Sequence, residues 1–259
     1  MVYNVHPDMA SELVEMTSDS FPGQVLTRLP HRCPLVVWPE GLWLENKSAA
    51  AHSCYVYGLT TSGDLCDTSA ENLAEIGLAW QIGTFNAFAS AEQQETTWVR
   101  ASLPAIGTWT IEEAITSTTR HEQARSSEQI RGWIRPLLEE TIPVLLYACT
   151  KTPDLVRVQS EKDPRTRTGK KKQKRFPELW QLGYVLGPAM AQSRTIYSGR
   201  SVTTVGAGRR IPPGWRRGHL RWQACGPRWS ERELTWIAPY SISQDLLAGE
   251  ATTTTIIPL

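Results

Sequence analysis

Between Gly214 and Tyr240 the chain reads GWRRGHLRWQACGPRWSERELTWIAPY, a stretch dense in residues that can touch phosphate or move a proton. Two strand-length segments, RRGHLRWQAC and ERELTWIAPY, flank the turn material GPRWS, so the spacing predicts a β-hairpin. Period-two alternation puts Arg217, His219, Arg221 and Gln223 on one face, with Leu220 and Trp222 on the other. Three kinds of chemistry suit the polar face. As an RNA contact, Arg216, Arg217 and Arg228 pair with phosphate while an accessible Trp215 or Trp229 stacks a base. As catalysis, His219 serves as general acid or base toward a ribose hydroxyl and Arg221 stabilises the phosphate. As structure, His219 is a hydrogen-bonded histidine and the arginines are buried partners of carboxylates elsewhere. Catalysis asks the most, because no second histidine or carboxylate lies at a spacing that sets it beside His219. The seven-residue interval of Trp215, Trp222, Trp229 and Trp236 is chance, since the Gly and Pro between them rule out a heptad helix.

The charge distribution sharpens the phosphate reading. The net charge of +1 conceals a divided chain. Residues 1–156 carry 9 Lys/Arg against 19 Asp/Glu, a net of −10, whereas residues 157–232 carry 18 against 4, a net of +14. The remaining 27 residues hold 3 acids and no Lys or Arg. A basic block of this size is an electrostatic footprint for phosphate, in nucleic acid or a ribonucleoprotein; the alternative is a solvated face neutralised by the acidic half. Its densest part, QSEKDPRTRTGKKKQKRFP, has no periodicity and is expected as a loop presenting Arg165, Arg167, Lys170, Lys171, Lys172, Lys174 and Arg175.

Elements must position these groups. PDMASELVEMTSDS sets Met9, Leu13 and Met16 on one side of a short, marginal helix that FPGQ ends. From Cys33 to Leu103 come short β-branched and aromatic runs, CPLVVW, GLWLE, CYVYGLT, IGLAWQIG and TTWVRASL, which predict an antiparallel sheet. TWTIEEAIT opens a helix with a capping box, Thr110 and Glu113. A second helix from about Ser126 or Ser127 carries Ile130, Trp133, Ile134, Leu137, Leu138, Ile142, Leu145, Leu146 and Cys149 at helical spacing, and is expected to kink or split at Pro136 and Pro143. ELWQLGYVLGPAMAQS reads as a short strand running into a short helix. The expected fold is therefore α+β, an antiparallel sheet with packed helices, a long basic loop and the C-terminal hairpin. An acidic sheet-plus-helix region, 1–156, and a basic region, 157–259, form one continuous globular domain of 259 residues.

Several function classes are disfavoured. GAGRR at 206–210 lacks the Lys-Ser/Thr and following apolar helix of a phosphate loop. His6, His31, His52 and His121 are scattered, with no i, i+4 pair and no H-E-x-x-H, so no metal is expected. Five cysteines, Cys33, Cys54, Cys66, Cys149 and Cys225, form no C-x-x-C pair and are expected as buried free thiols. Glu112, Glu113, Glu139 and Glu140 read as solvated helix faces, and Trp38, Trp43, Trp80, Trp98, Trp109, Trp133 and Trp180 as core. No apolar run is long enough for a membrane span and no leader pattern opens the chain, so a cytoplasmic location is expected, with no membrane partner.

RRGHLRWQACGPRWSERELTWIAPY also resembles the C-terminal signature of a family of phage and plasmid proteins that includes the second type V-A anti-CRISPR. IPVLLYACTKTPDL is similar to that family's Pro-interrupted apolar helix ending in Pro-Asp, ELWQLGYVLG to its strand-to-helix segment with paired glycines, and LPHRCPLVVW to the start of its sheet. The motifs stand in the family's order, most firmly from Thr141 to Tyr240. The resemblance implies a mixed α and β fold, no small-molecule cofactor, and co-translational silencing: recognition of a target's nascent N-terminal peptide at the ribosome and loss of its mRNA. This chain has Cys225 and Trp229 as extra residues in the turn region.

Two function classes follow. In one, the strands from Cys33 to Leu103 form a groove for an extended nascent peptide and the basic region meets the ribosome or message. In the other, an RNA-binding protein or toxin-like endoribonuclease uses the hairpin.

Overall fold

The computed structural model describes residues 1–14, 21–44, 49–84, 96–122, 128–158, 177–198, 214–216 and 218–242. Strand β1, Val2–Val5, opens the chain and is followed by helix α1, Pro7–Val14, with Met9 and Leu13 fully buried. A short strand β2, Phe21–Pro22, and a 3-10 segment, Gly23–Arg28, lead into β3, Leu35–Leu44. Strands β4, Ala49–Thr60, β5, Leu65–Cys66, β6, Leu73–Thr84, and β7, Thr96–Pro104, follow. Then come β8, Thr108–Trp109, helix α2, Ile111–Glu122, and helix α3, Glu128–Ala148. Beyond them lie β9, Leu155–Arg157, β10, Leu179–Leu182, and helix α4, Leu186–Ser198. The C-terminal part contributes β11, Gly214–Arg216, β12, His219–Cys225, β13, Glu231–Ile237, and β14, Tyr240–Ile242.

The fold is α+β. The main sheet runs β7-β6-β4-β3-β1-β10-β9, with β5 paired to β4. It is mixed rather than purely antiparallel, because β1 pairs parallel with both β3 and β10. The reason lies in VYNV at the N-terminus: α1 carries the chain across before β3, and a parallel neighbour requires such a crossover. LVVW and GLWL, parts of separate runs in the sequence, lie in the single strand β3, whose register with β4 shifts between Val37 and Leu42 around Gly41.

One sheet face builds the core. Val36, Cys54, Trp80 and Val99 lie in successive register across β3, β4, β6 and β7, and all are buried. Helices α1, α2 and α3 pack against this sheet. The buried indole Nε1 of Trp80 donates to Thr141 Oγ1 on α3 at 3.0 Å. Helix α3 is one continuous helix through Pro136 and Pro143, so the expected split does not occur. Each proline removes a backbone donor, at about 3 kcal/mol in a helix interior. Opposing this, Trp133, Ile134, Leu137, Leu138, Ile142 and Val144–Ala148 are all buried, and burying one such side chain stabilises by about 1.5–3 kcal/mol.

Helix α1 is well packed, not marginal: its buried Glu12 forms an ion pair with Arg194 of α4. Gly183, between β10 and α4, has φ +77°, and a Cβ there would lie 2.4 Å from Met9 Cβ, so glycine is needed for both reasons. The capping box forms as expected: Glu113 N–H donates to Thr110 Oγ1 at 3.1 Å and Thr110 N–H donates to Glu113 Oε2 at 2.7 Å. Among the described residues no helix is long and apolar enough to cross a membrane.

Candidate nucleic-acid and peptide interfaces

Strands β12 and β13 form the expected hairpin, with His219 opposite Ile237, Arg221 opposite Thr235 and Gln223 opposite Glu233. The alternation inferred for β12 holds: His219, Arg221 and Gln223 are exposed, while Leu220 and Trp222 are half-buried and pack against the core. On β13, Leu234 is buried and Trp236 meets Tyr147 of α3 edge-on, with ring centroids 5.6 Å apart. These apolar contacts fix one hairpin face on the body and leave the other outward. Exposure of Arg221 argues against the reading in which it is a buried partner of the acidic half.

The hairpin tip is unusual. Arg228 and Trp229 both occupy the left-handed backbone region, at φ 55° and 60°, which side-chain-bearing residues rarely adopt. Trp229 is 70% exposed. An indole and a guanidinium therefore project together from a strained turn, an arrangement suited to stacking a base and pairing its phosphate.

Sequence reasoning missed two groups near this face. Glu233 lies across from Gln223, and Lys151 Nζ, just past α3, pairs with its Oε2 at 3.4 Å. For Glu233 the signal was available, because counting outward from the Gly-Pro turn gives the register, whereas Lys151 is brought there from a distant part of the sequence. Around His219 the register offers Ile237 and, diagonally, Thr235, so no carboxylate of β13 orients the imidazole as general-base catalysis usually requires.

The other inferred contacts divide in two. Trp215 and Arg216 belong to β11, which pairs antiparallel with β14. Arg217 and the whole set Arg165, Arg167, Lys170, Lys171, Lys172, Lys174 and Arg175 lie outside the described residues.

A second surface occupies the sheet face opposite the core. Trp43, Tyr55 and Trp98, at 47%, 46% and 46% exposure, point outward there, which corrects the expectation that Trp43 and Trp98 are core residues. Each alternates with inward neighbours: Leu42 and Leu44 flank Trp43, and Val99 follows Trp98. Strand β6, between β4 and β7, places Gly77 and Ala79 on this face, with Glu75 and Gln81 on either side of them. Ala79 pairs with Tyr55 and Arg100, and Gly77 pairs with Tyr57 and Ser102. Tyr57 lies so close over Gly77 that a Cβ there would come within 2.2 Å of its ring. Tyr55, opposite Ala79, and Trp98, opposite Gln81, bring their rings to 5.8 Å at an interplanar angle of 41°. Burial pushes the Tyr57 phenol above its ordinary range, opposed by the nearby Arg100 guanidinium. The result is an aromatic shelf with the Arg100 guanidinium and the Glu75 carboxylate near Tyr57, able to take an apolar or planar side chain from an extended chain.

The remaining predicted core tryptophans, Trp38, Trp80, Trp109 and Trp133, are buried, and Trp180 is partly buried beside His31. Glu112 and Glu113 are exposed as expected, whereas Glu140 is half-buried and its carboxyl is held above the usual range by burial and then by Glu139. Among the cysteines only Cys54 and Cys149 are fully buried, Cys66 and Cys225 are half-buried, and Cys33 is exposed. Among the described residues no three His, Cys, Asp or Glu side chains converge as a metal site.

Comparison with known proteins gives one family match. A family model described as "AcrVA2-like: Anti-CRISPR type V subtype A2 family" matches residues 3–244. Among solved structures, the chain is similar to one titled "Crystal structure of AcrVA2", with a TM-score of 0.49 and 13% identity, covering 92% of this chain and 70% of that one. No curated protein sequence matches.

Proposed function

The chain belongs to the AcrVA2-like family of type V subtype A2 anti-CRISPR proteins and is thereby a mobile-element anti-defence protein, and we propose that it acts during translation, recognising a target's nascent N-terminal peptide and causing loss of its mRNA. In this reading the aromatic shelf of β4, β6 and β7 holds the extended peptide. The outward hairpin face, with His219, Arg221, Arg228 and Trp229, meets the message or the ribosome. The basic segment Arg165–Arg175 adds nonspecific attraction to RNA.

The observation that carries the proposal is the presence of two outward aromatic surfaces of different character. Tyr55 and Trp98 stand in the acidic half, which repels nucleic acid, while Trp229 stands in the basic half beside Arg228. Each surface thus suits one of the two partners. An intrinsic ribonuclease centred on His219 is less well supported, since the β13 register brings no carboxylate to its side.

Two experiments test the reading. Ribosomes translating a library of N-terminal peptides are captured on the purified protein, and enrichment of one short encoded motif is expected. Enrichment that persists after frameshifting the encoded peptide would make the chain an RNA reader instead. Labelled RNA incubated with the protein without ribosomes is expected to stay intact, and cleavage there would favour the nuclease.

A further inference from the structure

Cys33 and Cys66 meet beside β4, where Cys66 pairs with Gly58 and the Pro34 carbonyl accepts from Val56 N–H. Cys33 precedes β3, is exposed, and has a left-handed φ of 47°. Its thiol points at the Cys66 carbonyl oxygen, 3.8 Å away. The adjacent residues are joined as well, since Arg32 pairs with Asp67 at 3.1 Å. Cys66 in β5 is half-buried, and its Sγ rests over Gly58, where a Cβ would come within 2.8 Å of it. Two neighbouring contacts thus hold the same two chain segments together, and one of them is a pair of thiol-bearing residues. Strain of the kind at Cys33 concentrates where a side chain has a task.

We propose that Cys33 is a modification site for low-molecular-weight disulfides, with Cys66 as its resolving thiol, so that oxidised glutathione converts the pair into an internal disulfide. The Cys33 thiolate attacks one sulfur of the glutathione disulfide; a protein–glutathione S–S bond forms, the glutathione S–S bond breaks, and one glutathione leaves as thiolate. The Cys66 thiolate then attacks the Cys33 sulfur, forming the Cys33–Cys66 bond and expelling the second glutathione thiolate. The protons released by the two cysteines pass to the two glutathione thiolates. The protein dithiol loses two electrons and the glutathione disulfide gains them.

The order of attack follows from the surroundings. Burial, then the Asp67 carboxylate and the Cys33 thiol, push the Cys66 thiol above its ordinary range, so less of it is thiolate than of an exposed thiol. Cys54 and Cys149 are buried, and burial pushes both thiols up, which leaves them inert. Neither of these two thiols therefore competes with the pair. The bond ties the loop before β3 to β5, and constraining that span in the unfolded chain raises the melting temperature of the oxidised protein above that of the reduced protein.

The test treats reduced full-length protein with oxidised glutathione, blocks remaining thiols with an alkylating agent, and maps the peptides by mass spectrometry. A Cys33–Cys66 linkage is expected in the wild type, with Cys54 and Cys149 alkylated only after denaturation. Cys66→Ser is expected to stop at a glutathione adduct on Cys33, and Cys33→Ser to leave Cys66 reduced. Three wild-type results would overturn the proposal: a stable adduct on Cys33 without ring closure, pairing of Cys66 with Cys225, or no reaction at an oxidant concentration that modifies an exposed control thiol. The assignment is read on the wild-type chain, so it stands whether or not the variants fold.

Discussion

At the scale of single residues, His31 shows how an ordinary side chain acquires a consequence from its setting. Its Nδ1 shares a 2.8 Å hydrogen bond with the buried Tyr3 hydroxyl, and its ring lies 4.5 Å from that of Trp180. Burial, and then the positive amino terminus, lower its pKa, with Glu178 opposing them. Above the ordinary histidine value of about 6.5 the ring is neutral in both folded and unfolded chains, and its packing contributes in full. As pH falls through that value the unfolded chain takes up a proton that the folded ring resists, so stability is lost on acidification. His31→Gln, which keeps a hydrogen-bonding group for Tyr3, is expected to flatten the loss of stability between pH ~7.5 and ~5.5 in denaturant titrations. An unchanged slope would assign the acid sensitivity to other groups. His219 and Arg221 behave differently because they face outward. His219→Ala and Arg221→Ala are each expected to cost no more than ~0.5 kcal/mol in thermal unfolding while weakening RNA association. By contrast Trp236→Ala, behind them, removes the edge contact to Tyr147 and is expected toward the low end of ~3–5 kcal/mol, since that ring keeps partial exposure.

At the scale of elements, α2 is a case where sequence and structure meet in one local device. Thr110 and Glu113 satisfy each other's backbone N–H groups at the helix start, so Thr110→Ala is expected to lower stability by about 1 kcal/mol. In a double-mutant cycle with Glu113→Ala the two losses should fall short of additivity, and full additivity in urea melts would mean that the box does not act as a unit. Such devices are legible because they are local. So were the long strands, whose β-branched and aromatic runs recur at strand length. The four-residue β1 was not legible, because VYNV acquires its place from β3 and β10, neighbours remote in sequence. Nor was the continuity of α3, where burial of a whole helix outweighs two prolines. The outward faces of Trp43 and Trp98 could have been read from alternation: Leu42 and Leu44 bracket the one, while Trp98 shares its parity with Arg100 against Val99 and Ala101. Counting every tryptophan of the apolar runs as core overrode that pattern. In the candidate site, the polar face of β12 followed from period two alone, but Glu233 needed the register and the Arg228–Trp229 tip needed backbone angles that no spacing encodes.

At the scale of the whole molecule, charge separates the two interfaces and makes them distinguishable by salt. Residues 157–232 carry a net of +14, and neutralising phosphates with those cations releases counterions, so log affinity for single-stranded RNA falls with log salt at roughly −0.7 per phosphate. Replacing Lys170, Lys171, Lys172, Lys174 and Arg175 by Ser is expected to flatten that slope with little change in melting temperature, and an unchanged slope would remove this segment from the RNA contact. The aromatic shelf works by apolar burial, which salt does not screen, so peptide capture should persist at ionic strengths where RNA binding is lost. The two surfaces should also separate by mutation. Trp229→Ala is expected to weaken RNA binding by ~1–3 kcal/mol if a single base stacks there, leaving peptide capture intact. Trp98→Ala is expected to do the reverse, because it removes the ring beside Tyr55 and lies in the acidic half, where phosphate is repelled. Loss of both activities in either variant, with folding intact, would mean that peptide and RNA share one surface and that the division of labour between the halves is wrong.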